Sequence, residues 1–123
     1  MYEVSQRFFF DAAHTLEREI DAEPSRRVLG HTYDAEVAIQ GQPCPHTGMV
    51  VDLGLLRRDI AHLREQLDHR LLDEVPQLGK PTLENLCTYI AKSLEGRGFQ
   101  LSRVAVWRER TGDRCELRQT PAA

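Results

Sequence analysis

Apolar and polar residues alternate from the first residues of the chain. Val4, Phe8, Phe10, Ala12 and His14 share one parity, and Glu3, Ser5, Arg7 and Asp11 share the other. That period of two predicts a half-buried strand ending at His14. Residues 15–28 are charged and carry Pro24 and Ser25, so they read as a loop. Alternation resumes over about 30–41, with Tyr33, Ala35, Val37 and Ile39 set against Thr32, Asp34, Glu36 and Gln40. Gly41-Gln42-Pro43-Cys44-Pro45 then marks a turn, followed by the short apolar link Met49-Val50-Val51.

Beyond that link the period lengthens. Asp52 is placed to cap a helix whose apolar stripe is Leu53, Leu56, Ile60, Leu63 and Leu67. Pro81-Thr82 opens a second helix with the stripe Leu83, Leu86, Cys87, Ile90 and Leu94, closed by Gly96 and Gly98. Residues 101–117 read as two strands joined at Thr111-Gly112-Asp113. The order β-β-α-α-β-β predicts an α+β domain over residues 1–123. Its four-stranded antiparallel sheet carries both helices on one face, and its open edges invite assembly with copies of the same chain.

Composition narrows the function classes. A formal net charge of −3 provides no basic field for nucleic acid or an anionic membrane. No apolar run approaches the ~20 residues of a membrane helix. Met1-Tyr2-Glu3-Val4 lacks the basic-then-apolar form of a signal peptide. The three cysteines, Cys44, Cys87 and Cys115, are odd in number and far apart, which argues against a disulfide framework. These features lead to the expectation of a cytoplasmic protein.

The candidate chemistry lies at the ends of the first two strands. Residues two apart in a strand point the same way, so Leu29 and His31 share a face. A histidine at position 29 would join His14 and His31 in a three-imidazole zinc site with an open position. Leu29 leaves that set one donor short. Cys44-Pro45-His46 could add donors, although such a loop pair is more often incidental. Asp68-His69 follows the first helix, and a carboxylate that orients an imidazole makes a proton shuttle near neutral pH. Glu84 falls in the first turn of the second helix, where the dipole stabilises any acid. Ser25 has no neighbouring base in sequence to make it a nucleophile.

Five motifs in order carry a resemblance over nearly the whole chain. They are Phe10-Asp11-Ala12-Ala13-His14, Gly30-His31-Thr32-Tyr33, Gly48-Met49-Val50-Val51-Asp52-Leu53, Leu67-Asp68-His69-Arg70-Leu71-Leu72 and Pro81-Thr82-Leu83-Glu84-Asn85. Together they resemble the tunnelling-fold family of 6-pyruvoyltetrahydropterin synthase and 6-carboxytetrahydropterin synthase. The resemblance implies a trimer or hexamer that closes the open sheet edges, and zinc on His14 and His31. It also implies a catalytic Asp68-His69 pair and substrate contacts from Thr82 and Glu84.

Three family positions are altered. The family's catalytic cysteine falls on Ser25 and the first histidine of its paired-histidine motif falls on Leu29. The glutamate that grips the pterin ring falls on Arg108, with Glu109 adjacent. A carboxylate accepts two parallel hydrogen bonds from a pterin's guanidine-like edge, whereas a guanidinium donates them and favours a carboxylate or phosphate. Glu109 would reach the same place only through a bulge, because a one-residue slip turns a strand side chain to the other face.

The expectation is a divergent family enzyme with a small, carboxylate-bearing substrate. Its chemistry would be proton-relay C–C bond or ring formation, of aldol-type lyase or Pictet–Spengler-like cyclase kind. Asp68 and His69 would be catalytic, and Thr82, Glu84, Arg108 and Glu109 would contact substrate. Zinc would rest on an incomplete His14–His31 pair. Two alternatives stand beside it: a 6-carboxytetrahydropterin synthase with a repaired zinc and pterin site, and a non-catalytic small-molecule-binding subunit.

Overall fold

A computed structural model describes residues 1–15 and 28–119; Ser25 and most of the expected loop lie outside the described residues. The alternating segments form β1 (Tyr2–His14) and β2 (Leu29–Gly41), each thirteen residues long. The helical stripes form α1 (Leu53–Glu65) and α2 (Leu83–Glu95). The last hairpin is β4 (Arg103–Arg108) and β5 (Asp113–Arg118). The cap residues behave as their chemistry requires. Asp52 accepts from the N–H groups of Gly54 and Leu55 at 2.9 and 3.3 Å, and Thr82 accepts from that of Asn85 at 3.1 Å.

The four expected strands pair antiparallel, and a fifth joins them. β3 (Arg70–Leu71) lies parallel to β1, with Ala12 opposite Arg70 and Ala13 opposite Leu71. The five-stranded mixed sheet has the order β3-β1-β2-β4-β5. Two residues are too few for any periodicity, so this strand is invisible in the sequence. It docks because the chain reverses at His69, whose φ of 58° is left-handed. This backbone region is sparsely used by non-glycine residues, with histidine among the better tolerated. The His69 N–H donates to the Asp11 carbonyl at 2.6 Å, which fastens the reversal to β1.

One face of the sheet packs on the helices. Phe10, Tyr33, Ala35, Val37, Val104 and Val106 meet Leu56, Ile60, Leu63, Leu86, Ile90 and Leu94 in one core, all buried. Phe10 and Tyr33 stack across the β1–β2 pair with ring centroids 5.1 Å apart. Leu67, already past the end of α1, is fully buried and extends the helix stripe into the turn that carries Asp68 and His69.

The opposite face carries charge. Glu36 accepts from Arg7 at 3.1 Å and from Arg103, and Arg103 also donates to Glu3 at 2.8 Å. Burial pushes the Glu36 carboxyl up, but the hydrogen bonds and charges of Arg103 and Arg7 outweigh it and hold it below the usual carboxylate range. A carboxyl with a depressed folded-state value stabilises the fold above its unfolded value of about 4.3, and that contribution is lost as pH falls through the folded value. Glu36→Gln should therefore destabilise the protein at pH 7 and cost progressively less toward pH 3. Urea unfolding at both pH values measures this, and an equal cost at both would contradict it.

Candidate functional site

The ends of β1 and β2 set the site. Their register places Ala12 opposite His31 and His14 opposite Leu29. Cross-strand partners share a face, so all four point to the side that bears Phe10 and Tyr33. The His14 and His31 rings stack with centroids 5.1 Å apart, and the His31 ring meets that of Tyr33 edge-on at 5.8 Å. His14 is buried, whereas Leu29 is 43% exposed.

A pocket opens over this end of the sheet. Its walls include Asp11, His31, His69, Arg108, Glu109 and Arg110. Arg108 ends β4 directly opposite Asp113 of β5 and forms an ion pair with it. The β4–β5 turn is closed by the Gly112 N–H donating to the Arg108 carbonyl at 2.9 Å, with Gly112 at a φ of 80° that glycine alone adopts freely. The Arg108 guanidinium lies over the Tyr33 ring at 6.0 Å. Its side chain is 16% exposed, and its Nε is buried without a hydrogen-bond partner among the described residues.

Arg108 tunes its neighbours. Burial lowers the His31 pKa below its usual value, with the Arg108 charge and then His14 pushing the same way and Asp113 opposing. Burial raises the Tyr33 hydroxyl, and Arg108 resists that rise. The Thr111 hydroxyl donates to Asp113 at 3.0 Å and, with the Arg108 charge, holds that carboxyl below its usual range.

His69 lines the other side of the pocket, with Asp68 beside it. Asp68 accepts from the Asp11 N–H at 2.9 Å and pairs with Arg64 of α1 at 3.2 Å. Arg64 also donates to the Phe9 carbonyl and stacks on the Phe9 ring at 5.1 Å. The His69 Nε2 stands 3.6 Å from the Asp68 carboxylate, near enough for charge attraction and too far for a hydrogen bond. The imidazole itself is 80% exposed. Asp68, clamped from two sides, stands behind a ring that faces water.

Thr82 and Glu84 stand elsewhere. Thr82 caps α2, Glu84 is exposed in its first turn, and neither lines the pocket of its own chain. Sequence reasoning passed over Asp11, Arg64 and Asp113. Asp11 does lie in the first motif, and Arg64 is four residues before Asp68, a spacing that brings helical side chains together. Asp113 stood in a segment read only as a turn.

The chain matches the model of the family "6-pyruvoyl tetrahydropterin synthase" over residues 3–120. It belongs to that family. It is 31% identical over 105 residues to a dihydroneopterin monophosphate aldolase of Pyrococcus furiosus, covering 82% of this chain and 84% of that one. It is 30% identical over 103 residues to a 6-carboxy-5,6,7,8-tetrahydropterin synthase of Synechocystis, covering 80% and 78%. The solved 6-pyruvoyl tetrahydropterin synthase of Caenorhabditis elegans shares the fold with a TM-score of 0.83 at 24% identity, covering 97% of this chain and 96% of that chain.

Zinc, which the family resemblance implied, does not fit the donor set among the described residues. His14 and His31 supply two stacked imidazoles, and the third position is the hydrocarbon Leu29. A guanidinium stands close enough to act on His31, where it would repel a dication. Asp11, Asp68 and His69 also gather ligand atoms within 4.8 Å, but Asp11 accepts from Thr32 and Asp68 is held by Arg64 and the backbone. That cluster is explained by its own hydrogen bonds. Protein of this pterin synthase family member purified without added metal should hold well under one zinc per chain, and Leu29→His should raise occupancy. Elemental analysis showing full zinc in the wild type would overturn this.

Proposed function

We propose that the chain is a lyase or cyclase of the pterin synthase family with altered specificity, acting on a small substrate that bears a carboxylate. The observation that carries this reading is the pocket that joins Arg108 to His69, with Asp68 behind the imidazole. Arg108 keeps donors that Asp113 does not engage, including its buried Nε, and these suit a planar carboxylate. An imidazole open to water can take the hydroxyl proton of a β-hydroxy carbonyl compound as its C–C bond breaks and return it to the enolate carbon, or take the ring proton released once a C–C bond has formed at a C=N carbon. The Asp68 carboxylate would stabilise the imidazolium formed in between. Aldol-type cleavage and iminium cyclisation both need that relay. The aldolase among the relatives supports C–C chemistry on this fold.

Thr82 and Glu84 fit the reading only through self-association. They lie off their own pocket, so a substrate contact from them would be made in the pocket of a second copy, consistent with a homo-oligomer. A second reading is favoured by Glu109, which lines the same pocket beside Arg108. There Glu109 would accept the N–H groups of a pterin, and the chain would be a 6-carboxytetrahydropterin synthase.

Turnover should be followed with dihydroneopterin triphosphate and monophosphate and with carbonyl compounds bearing a carboxylate. On the compound that reacts, His69→Ala should lower turnover by about 10²–10⁴-fold, the usual worth of a general acid–base. Asp68→Asn should impair it as well, by weakening the hold on the imidazolium. Unchanged turnover in His69→Ala would remove the relay. Ligand binding with no turnover on either class would make the chain a binding subunit.

A further inference from the structure

The charge at the ends of β1 and β2 is reversed from what a metal-binding face needs. Two imidazoles stand there with a leucine in the third position, and the cation beside them belongs to the protein. Arg108 is fixed from several directions: by Asp113 across the hairpin, by the Tyr33 ring beneath it, and by burial of most of its side chain. The pairing with Asp113 runs through one terminal nitrogen. Among the described residues Nε is left buried without a hydrogen-bond partner, an arrangement that native structures rarely keep without a ligand or water to fill it. His31 lines the same pocket and can donate one ring N–H without carrying a charge.

We propose that the pocket holds a small oxyanion, a carboxylate or phosphate group, on the Arg108 guanidinium and the His31 ring, and that Arg108 itself keeps a divalent metal off the His14–His31 face. The proposal rests on the acidic substrate read above and is independent of the proton relay. It assigns Arg108 two separable properties. The planar fork of donors holds the anion, and the positive charge excludes the metal. Lysine keeps the charge without the fork, and glutamine removes the charge.

The test uses the whole protein with acetate and inorganic phosphate as probes, in the presence of a chelator. Either anion should move the NMR signal of the Arg108 Nε–H saturably, and the tighter of the two identifies the group. Arg108→Lys should weaken anion binding by about ten-fold or more, since bidentate geometry is lost. Arg108→Gln should weaken it at least as much. Zinc is then measured by elemental analysis after dialysis against a fixed free concentration. Leu29→His should gain some zinc, Leu29→His with Arg108→Lys no more than that, and Leu29→His with Arg108→Gln about ten-fold more.

An Arg108 signal that neither anion moves, or anion binding that requires added zinc, would overturn the anion site. Equal zinc uptake by Leu29→His with and without Arg108→Gln would overturn the exclusion. Circular dichroism of each variant confirms that the sheet is intact. None of these readouts depends on turnover, so failure of the relay leaves the result readable.

Discussion

The pairing of β1 with β2 holds the site together. Both strands run thirteen residues in continuous antiparallel register from Tyr2 opposite Gly41 to His14 opposite Leu29. A slip of one residue would turn every side chain of one strand to the other face. Phe10 and Tyr33 would part in the core, and beside them His14 and His31 would no longer stack. The same ladder supplies the Asp11 backbone, whose N–H and carbonyl fasten Asp68 and His69. Core packing along the strands thus fixes the chemistry at their end.

On that frame, the proposed difference from a pterin-gripping site is the sign of one charge. A carboxylate at the end of β4 would offer acceptors to an N–H-rich ring. Arg108 offers donors, adds to the lowering that burial imposes on the His31 pKa, and sits where a dication would be repelled. Asp113 keeps that cation in place without using all of its donors. On the reading proposed above, Leu29 and Arg108 act in one direction: the first would leave the two imidazoles without a third ligand, and the second would set a positive charge of the protein's own beside them.

Much of this was legible in the sequence because it rests on periodicity and capping. The alternation of Phe8 to His14 and of Tyr33 to Ile39 defined two strands, and Asp52 and Thr82 marked the helix starts that the structure bears out. The facing of His14, Leu29 and His31 followed from parity alone. What escaped notice depends on contacts between distant residues. β3 is two residues long and exists only because a left-handed His69 lays the chain along β1. Asp11 acts on Asp68 across 57 positions of sequence that the linear pattern does not relate. The partner of Arg108 is set by hairpin register, which puts Asp113 across from it.

The account stands on the preference of Arg108 for acidic over N–H-rich ligands. Calorimetry of wild type and Arg108→Glu with a small keto acid and with dihydroneopterin triphosphate measures it most directly. The wild type should bind the keto acid well and the pterin weakly or through its phosphates alone. Arg108→Glu should weaken the keto acid by about 2–5 kcal/mol, as expected on truncating a desolvated charge pair. Tight pterin binding by the wild type, insensitive to Arg108→Glu and abolished by Glu109→Ala, would contradict the account and show that the pterin anchor had moved by one residue.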